Sequence, residues 1–189
     1  MVKSPFWKTT LAFCFGLTGM GAQAESTVLP GAQPLQTIAA LDVPRYMGTW
    51  YEIAKFPNWF QKKCIGATRA EYRQLQDGSV QVINRCRLDN GEMSEAIGKA
   101  RQVGLATSPK LKVRFAPDWL SFLPMVWGDY WVIDLDEAYQ LVAVSEPKRR
   151  YLWVLSRTPQ VEPQRYQDLL DRLSQKGFDV RLLEQTRQD

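Results

Sequence analysis

The 189-residue chain contains no histidine, and it has only three cysteines. The absence of histidine excludes Ser-His-Asp and Cys-His nucleophile activation, histidine zinc sites and histidine-ligated haem. The chain also lacks a strong excess of one charge, since 24 basic and 20 acidic residues give a net charge of +4. That balance is not typical of nucleic-acid binding. We therefore expect no metal, no cofactor and no nucleic-acid partner.

Aromatic residues, in contrast, are abundant. The chain has seven Trp, seven Tyr and eight Phe in a length that suits one globular domain rather than two. Aromatic side chains carry large apolar surfaces, which a fold must either bury or offer to a ligand.

The first 24 residues have the features of a secretory signal peptide. Lys3 and Lys8 precede an uncharged apolar segment over 9–22, and residues 22–24 (AQA) form a small-x-small cleavage site. We therefore expect a mature chain from Glu25 that is exported to the periplasm or the outer membrane.

Two alternatives to a cleaved signal peptide are open. A transmembrane anchor is disfavoured because the apolar segment is shorter than the about 20 residues that span a membrane. Lipoprotein processing at Cys14 is disfavoured by the bulky Phe13 before it, so we expect no lipid anchor.

The mature chain would retain two cysteines, Cys64 and Cys86. Cysteines in an oxidising compartment pair by default, so we predict one disulfide. The loop of about 20 residues that it closes would contribute about 3 kcal/mol in the chain-entropy model. A reactive thiol is the alternative, but no histidine is present to activate it.

After a linker over 25–40, the sequence predicts a series of short strands. Aromatic and β-branched segments are separated by turn signals such as Asp77-Gly78 and Asn90-Gly91. The eight predicted strands are 49–56, 67–76, 79–87, 94–103, 110–116, 129–136, 139–146 and 151–157.

One amphipathic helix follows the strands. It begins at Pro163 and ends before Gly177, with an apolar stripe at Tyr166, Leu169, Leu170 and Leu173. A last strand is predicted over 178–183. Eight antiparallel strands and a helix fit either an open sandwich or a closed barrel, and periodicity alone does not decide between them.

Three motifs favour the barrel. Gly48-Thr49-Trp50 opens the first strand, Asp136 ends the sixth, and Arg157 ends the eighth. In this order and spacing they resemble the lipocalin family over about residues 41–187, most of all bacterial outer-membrane lipocalins and apolipoprotein D. The resemblance implies an all-β fold: an eight-stranded antiparallel up-and-down barrel with one C-terminal helix packed outside.

We expect the motif residues to be structural. An Arg that points into a barrel end needs a partner, and the face of Trp50 would supply a cation–π contact to Arg157. Gly48 would allow the close approach of the backbone beside this pair.

Ligand-binding residues are predicted from alternation along the strands. If Trp50 and Arg157 point inward, every second residue of their strands points inward as well. In the sixth strand, the alternate residues that are apolar are assigned to the interior. The resemblance to apolipoprotein D implies that Trp131 and Trp153 line the ligand pocket. The predicted lining is Ala54, Phe56, Ala70, Tyr72, Val82, Asn84, Val113, Phe115, Trp131, Ile133, Leu141, Ser145, Trp153 and Leu155. Asn84, Tyr72 and Ser145 would be the polar groups that orient a ligand.

The loops at the open end combine aromatic and basic residues. This rim comprises Trp59, Phe60, Lys62, Lys63, Trp119, Leu120, Phe122, Lys148, Arg149 and Arg150. Such a combination suits contact with an anionic membrane surface. Two alternatives are that the 118–127 loop closes the mouth as a lid, and that the rim forms a homodimer.

The favoured function is non-catalytic. An apolar barrel with a cationic mouth fits a small amphiphilic lipid, such as a fatty acid or a lysophospholipid, and the family resemblance implies lipid storage or transport for maintenance of the cell envelope. One alternative is an enzyme on the same scaffold, an isomerase of a bound lipophile that uses Cys64 or Glu52. Another is a protein-interaction module that uses the aromatic rim.

Overall fold

The computed structural model describes residues 33–189. The predicted signal peptide over 1–24 lies outside the described residues, as does most of the predicted linker. The strands are β1 Gly48–Lys55, β2 Gly66–Gln74, β3 Val80–Arg87, β4 Met93–Gln102, β5 Lys110–Arg114, β6 Gly128–Leu135, β7 Leu141–Ser145, β8 Leu152–Ser156 and β9 Glu184–Gln185. The helices are α1 Val43–Tyr46 and α2 Pro163–Gln175, and short 3-10 turns occur at Trp59–Gln61, Asp118–Leu120, Pro124–Val126 and Val180–Leu182.

Strands β1 to β8 form a closed antiparallel barrel. Each strand pairs with the next along the chain, and β8 returns to pair with β1. Closure leaves no free edge between the first and last strands. The predicted up-and-down barrel is confirmed, and the open sandwich is excluded. Within residues 33–189, no helix has the length and hydropathy needed to cross a membrane.

The end of the chain completes one seam of the barrel. Strands β1 and β2 pair only over Gly48–Tyr51, where β1 meets residues 69–72. Beyond that point β9 pairs with β1, and the amide of Ala67 on β2 donates to the carbonyl of Arg187. The C-terminal segment is therefore a wedge between the two strands.

The predicted last strand over 178–183 is wrong. This stretch contains the 3-10 turn Val180–Leu182, and the short strand comes after it. Phe178 and Val180 pack against the apolar cluster beneath α2. Their apolar spacing therefore comes from packing under the helix and not from a sheet.

Two apolar clusters lie on opposite sides of the barrel wall. The inner cluster takes buried residues from every strand of the barrel: Trp50, Ala70, Tyr72, Val80, Val82, Ala100, Leu111, Val132, Val142, Val144 and Leu155, with Leu41, Val43 and Tyr46 from the segment before β1. The outer cluster lies between α2 and the wall: Leu35, Ala54, Phe56, Ile133, Leu141, Ala143, Leu152, Val154, Leu169, Leu173 and Phe178. The barrel wall under the helix is therefore apolar on both faces.

Six residues predicted to point inward lie on the outer face instead. Ala54, Phe56, Ile133 and Leu141 belong to the outer cluster, and Trp131 packs against it. Ser145, which alternates with the inward Val142 and Val144, donates its hydroxyl to the carbonyls of Glu146 and Tyr151.

The errors have two physical causes. A β-bulge between Glu52 and Ala54 reverses the alternation in β1, so Ala54 no longer shares the face of Trp50. In β6 and β7, α2 covers the outer face, so an apolar side chain is no longer a sign of the interior.

Candidate functional site: the barrel lumen and its mouth

The closed end of the barrel is built around Arg157. Its guanidinium carbon lies 4.0 Å from the centre of the Trp50 ring. Its nitrogens donate to the carbonyls of Thr49 at 2.9 Å, Arg45 at 2.8 Å and Tyr139 at 3.3 Å. Partial burial lowers the pKa of this guanidinium from its ordinary value, which still leaves it charged. The arrangement ties α1, β1 and the β6–β7 turn to the end of β8.

The glycine and the aspartate of the motifs also have structural roles. Gly48 has a φ of +92°, and a Cβ there would lie 3.3 Å from a guanidinium nitrogen of Arg157. One carboxylate oxygen of Asp136 accepts from the amides of Gln140 and Leu141, both at 2.6 Å, and the other accepts from Arg165 on α2 at 3.1 Å. Asp136 thus holds the β6–β7 turn and the helix together.

Above this closed end, three tyrosines form the floor of the lumen. The hydroxyl of Tyr130 lies 2.7 Å from that of Tyr46 and 3.0 Å from that of Tyr72. The rings of Tyr46 and Tyr72 stack with their centres 5.6 Å apart. Burial raises the pKa of all three phenols, and that of Tyr72 reaches about 12.

Eight of the fourteen predicted lining residues face the lumen. Ala70, Tyr72, Val82 and Leu155 are buried in the inner cluster, and Val113 and Trp153 pack against it. Asn84 pairs in register with Ala70 and therefore shares its face. Phe115 follows Val113 by two residues and is 44% exposed. Side chains are buried near the floor and become exposed toward the mouth, so the lumen opens at one end.

A polar network lies on the lumen wall near the mouth. The indole nitrogen of Trp153 donates to Gln61 at 3.0 Å, and the side-chain amide of Gln61 donates to the Glu52 carboxylate at 2.7 Å. Thr186, in the C-terminal wedge, donates to the other oxygen of Glu52 at 2.6 Å. Burial raises the pKa of Glu52 above its ordinary value, although both hydrogen bonds oppose this shift.

The predicted disulfide is confirmed. Cys64, at the end of the β1–β2 loop, is bonded to Cys86 on β3, with their Cα atoms 5.5 Å apart. The bond fixes the loop that carries Trp59, Phe60 and Gln61 to the barrel wall. Since both sulfurs are in the bond, the enzyme alternative loses Cys64 as a nucleophile.

The rim has the exposed aromatic tips that the sequence predicts. Trp59 and Trp119 are each 72% exposed and Phe122 is 74% exposed, whereas Leu120 is partly buried. Phe60 connects the rim to the lumen, because its ring centre lies 5.6 Å from that of Tyr151 and 6.2 Å from that of Trp153.

The basic residues of the rim divide into two groups. Lys62, Lys63 and Lys148 are exposed, and Arg150 forms an ion pair with Glu146 at 3.7 Å. Arg149 instead points toward α2, where it donates to the carbonyl of Lys176 and lies over the Phe178 ring. Its assignment to a membrane-facing rim is therefore wrong, because it caps the C-terminal end of the helix.

The long loop between β5 and β6 is held at its C-terminal end. Its last residue, Trp127, lies between Arg101 and Arg114, at 4.3 and 5.2 Å from their guanidinium carbons. These arginines alternate with the inward Ala100 and Val113, so the loop is anchored on the outer wall. Trp119 and Phe122, in the same loop, are exposed.

An open pocket of about 390 Å³ lies beside the mouth. Its lining includes Lys55, Asn58, Gln61, Lys62 and Glu184. Lys55 forms an ion pair with Glu184 at 3.0 Å, whereas Lys62 is exposed. A cation on a flexible stem is thus available where the lumen meets solvent.

Sequence reasoning missed three parts of this site. The sequence does not indicate Tyr46, which lies in a short helix, or Tyr130, which alternates with the aromatic Trp131 that the pattern assigns to the interior. It does not indicate Thr186 either, because nothing in a polar C-terminal segment shows that it returns to the first strand.

Comparison with known proteins agrees with this geometry. A family model described as a lipocalin-like domain matches residues 41–188. The chain belongs to the lipocalin family.

Several lipocalins of known name are similar to this chain. Temperature-induced lipocalin-1 of Arabidopsis thaliana is 40% identical over 156 residues, which cover 82% of this chain and 83% of that protein. Outer membrane lipoprotein Blc of Escherichia coli K12 is 40% identical over 140 residues, covering 74% and 75%. Apolipoprotein D of Mus musculus is 32% identical over 154 residues, covering 78% and 77%.

Among solved structures, insecticyanin from the tobacco hornworm Manduca sexta superposes with a TM-score of 0.61 at 18% identity, covering 83% of this chain and 84% of that one. At this identity the likeness shows the fold alone. The similarity to bacterial outer-membrane lipocalins and to apolipoprotein D agrees with the resemblance carried by the motifs.

Proposed function

We propose that this lipocalin binds and carries single-chain amphiphiles, namely lysophospholipids and fatty acids, without catalysing a reaction. The observation that carries the proposal is a closed barrel in which all eight strands contribute buried apolar side chains to the inner face, and in which the inner face becomes solvent-exposed toward one end. A lumen of this kind fits an alkyl chain. Membership of a family of binding proteins supports the same function.

The charges of the site favour one orientation of the ligand. The alkyl chain would occupy the lumen, and an acidic head group would remain at the mouth beside Lys62 and Lys63. Burial of about 12 to 16 methylenes contributes about 0.8 kcal/mol each, and part of this is lost in ordering the chain. The remainder suits micromolar affinity.

The cell envelope is the place we propose for this activity. The predicted signal peptide would deliver the chain to the periplasm, and relatives at 40% identity are named outer membrane lipoproteins. There the protein would store or transport lipids for membrane maintenance. Its exposed aromatic rim would contact the membrane surface while lipid enters or leaves.

A titration followed by tryptophan fluorescence tests the lipid function. Trp153 lies at the lumen, whereas Trp131 packs on the outer wall beneath Lys110, so the two form a matched pair. Lysophospholipid or fatty acid should change the fluorescence saturably at micromolar concentration. The lipid-dependent change should be much reduced in Trp153→Ala and kept in Trp131→Ala. A flat response of the unmodified protein to every amphiphile, or equal loss in both variants, would contradict a lumenal lipid site.

A further inference from the structure

The floor of the lumen contains three phenol hydroxyls in one hydrogen-bonded group. Tyr130 lies at the centre, within 2.7 Å of the Tyr46 hydroxyl and 3.0 Å of the Tyr72 hydroxyl. Tyr46 and Tyr72 are 3% and 8% exposed, whereas Tyr130 is less completely buried. Tyr130 is thus the bridging member of the group and the least buried of the three residues.

A count of hydrogen atoms shows that this group is incomplete. Each phenol carries one hydrogen and can accept at its oxygen. The two contacts use two of the three hydrogens, and residues 33–189 place no other acceptor within hydrogen-bond distance of these hydroxyls. One donor is left over in an apolar setting, where an unpaired donor is costly.

The side chains around this donor are apolar. Ala100, Leu111 and Val132 are buried in the same inner cluster, and Val113 and Trp153 continue the wall toward the mouth. Burial raises the pKa of the three phenols, so all three keep their hydrogens at neutral pH. A chain that enters the lumen would pass the polar groups near the mouth, then the apolar wall, and would meet the spare donor at its inner end.

We propose that the barrel floor binds an oxygen at the inner end of the ligand, and thus that the site suits amphiphiles with a hydroxyl or keto group far from the head. This inference rests on the proposed lipid function and specifies the class of lipid. The spare phenol hydrogen would donate to the ligand oxygen. A ligand hydroxyl could in turn donate to a remaining lone pair of the tyrosine group.

Hexadecanoic acid and 16-hydroxyhexadecanoic acid are suitable probes, because they differ only at the inner end. Isothermal titration calorimetry would give the ratio of their dissociation constants. The triple variant Tyr46→Phe, Tyr72→Phe, Tyr130→Phe has no donor. Its affinity for the hydroxy acid should therefore fall about tenfold relative to its affinity for hexadecanoic acid, which moves the ratio against the hydroxy acid. Tyr166→Phe, on the outside of the barrel, should leave the ratio unchanged and serves as the control.

Tyr130→Phe alone gives a second test with a different sign. It removes the bridging hydroxyl and leaves Tyr46 and Tyr72 each with an unpaired hydrogen, so the ratio should move toward the hydroxy acid. A purely structural role would shift both variants alike. The single variant also keeps the test decisive if the triple variant does not fold.

Three outcomes would overturn the inference. Unchanged ratios in the triple variant, with both acids still bound, would exclude an oxygen subsite and leave lipid binding intact. An unchanged ratio in Tyr130→Phe, or a shift against the hydroxy acid, would contradict the hydrogen count. If neither acid binds the unmodified protein, the proposed function itself fails, and this inference fails with it.

Discussion

Arg157 stacks on Trp50 and at the same time donates to three backbone carbonyls from separate parts of the chain. The contact joins the first strand to the last at the closed end of the barrel. Gly48 makes room for it, since any larger residue there would meet the guanidinium. The motif residues thus close the barrel and lie below the tyrosine floor of the lumen.

Replacement of Arg157 should therefore destabilise the fold. Arg157→Gln removes the cation–π contact and most of the three hydrogen bonds, so the free energy of unfolding should fall by about 2 to 4 kcal/mol. Arg157→Lys keeps the charge but not the planar guanidinium group, so the free energy of unfolding should fall by about half as much. Urea unfolding would measure both.

Arg150→Gln is the matched control for Arg157. Arg150 is exposed on the rim and pairs with Glu146 at 3.7 Å, so its replacement should change stability by less than about 0.5 kcal/mol. Equal effects at the two positions would show that the closed end has no special role in stability.

The disulfide should contribute to stability independently of the lumen. Cys64 and Cys86 are 22 residues apart, and a loop of this length is worth about 3 kcal/mol in the chain-entropy model. The double variant Cys64→Ser, Cys86→Ser should unfold at correspondingly lower urea. Dithiothreitol should lower the stability of the unmodified mature protein in the same way and leave the double variant unaffected. A response of the double variant to dithiothreitol would show that the effect has another cause.

The sequence predicts the interior best where only one face of a strand is covered. In β2 and β3 the outer face carries charged residues such as Arg69, Glu71 and Arg85, so Tyr72 and Val82 were correctly placed inside. The strand order follows from the turn dipeptides, which act locally, and the disulfide from the presence of two cysteines in an exported chain. The barrel follows from the three motifs that resemble the lipocalin family, because the strand pattern alone also fits a sandwich.

The sequence fails where both faces are apolar or where the register shifts. Under α2, Trp131 and Leu141 are as apolar as the true lining, and no local signal separates them. The bulge after Glu52 moves Ala54 and Phe56 to the outer face. Long-range contacts such as that of Thr186 with Glu52 form only when the barrel is closed, so the residue pattern of a single segment does not predict them.

Glu52 should make stability depend on pH. Burial raises the pKa of its carboxyl in the folded state, so the folded protein holds this proton more tightly than the unfolded chain. The stabilising contribution of the protonated form is fully present below the ordinary Glu pKa of about 4.3 and is lost as pH rises through the folded pKa.

Glu52→Gln removes this titration. An amide can accept from Gln61 through its oxygen and donate to the Thr186 hydroxyl through its nitrogen, so both contacts are kept. The variant should be more stable than the unmodified protein at neutral pH, and the difference should shrink as pH falls toward 4. Glu184→Gln, at an exposed ion pair, is the control. A larger advantage in acid than at neutral pH would contradict the assignment.

The aromatic tips of the β5–β6 loop should be needed for membrane contact. Trp119 and Phe122 project into solvent from a loop anchored by Trp127, so Trp119→Ser, Phe122→Ser should leave the barrel folded and lower binding to anionic vesicles more than tenfold. Leu105→Ser is the matched control, because Leu105 is 78% exposed on a loop at the closed end. Vesicle co-sedimentation would measure all three proteins. Undiminished binding of the double variant would remove the docking hypothesis, and a change from dimer to monomer would indicate the homodimer instead.

The exposed lysines of the rim should determine the charge dependence of the same contact. Each basic residue near an anionic bilayer contributes about 1 kcal/mol, so Lys62→Gln, Lys63→Gln should weaken binding to anionic vesicles about tenfold or more. Binding to zwitterionic vesicles should be unchanged, because it depends on the aromatic tips. Salt should weaken the binding of the unmodified protein to anionic vesicles more than the binding of this variant, because the variant lacks the two lysine charges that salt would screen. An equal salt effect on both proteins would mean that the rim lysines do not face the membrane and that other cations of the barrel do.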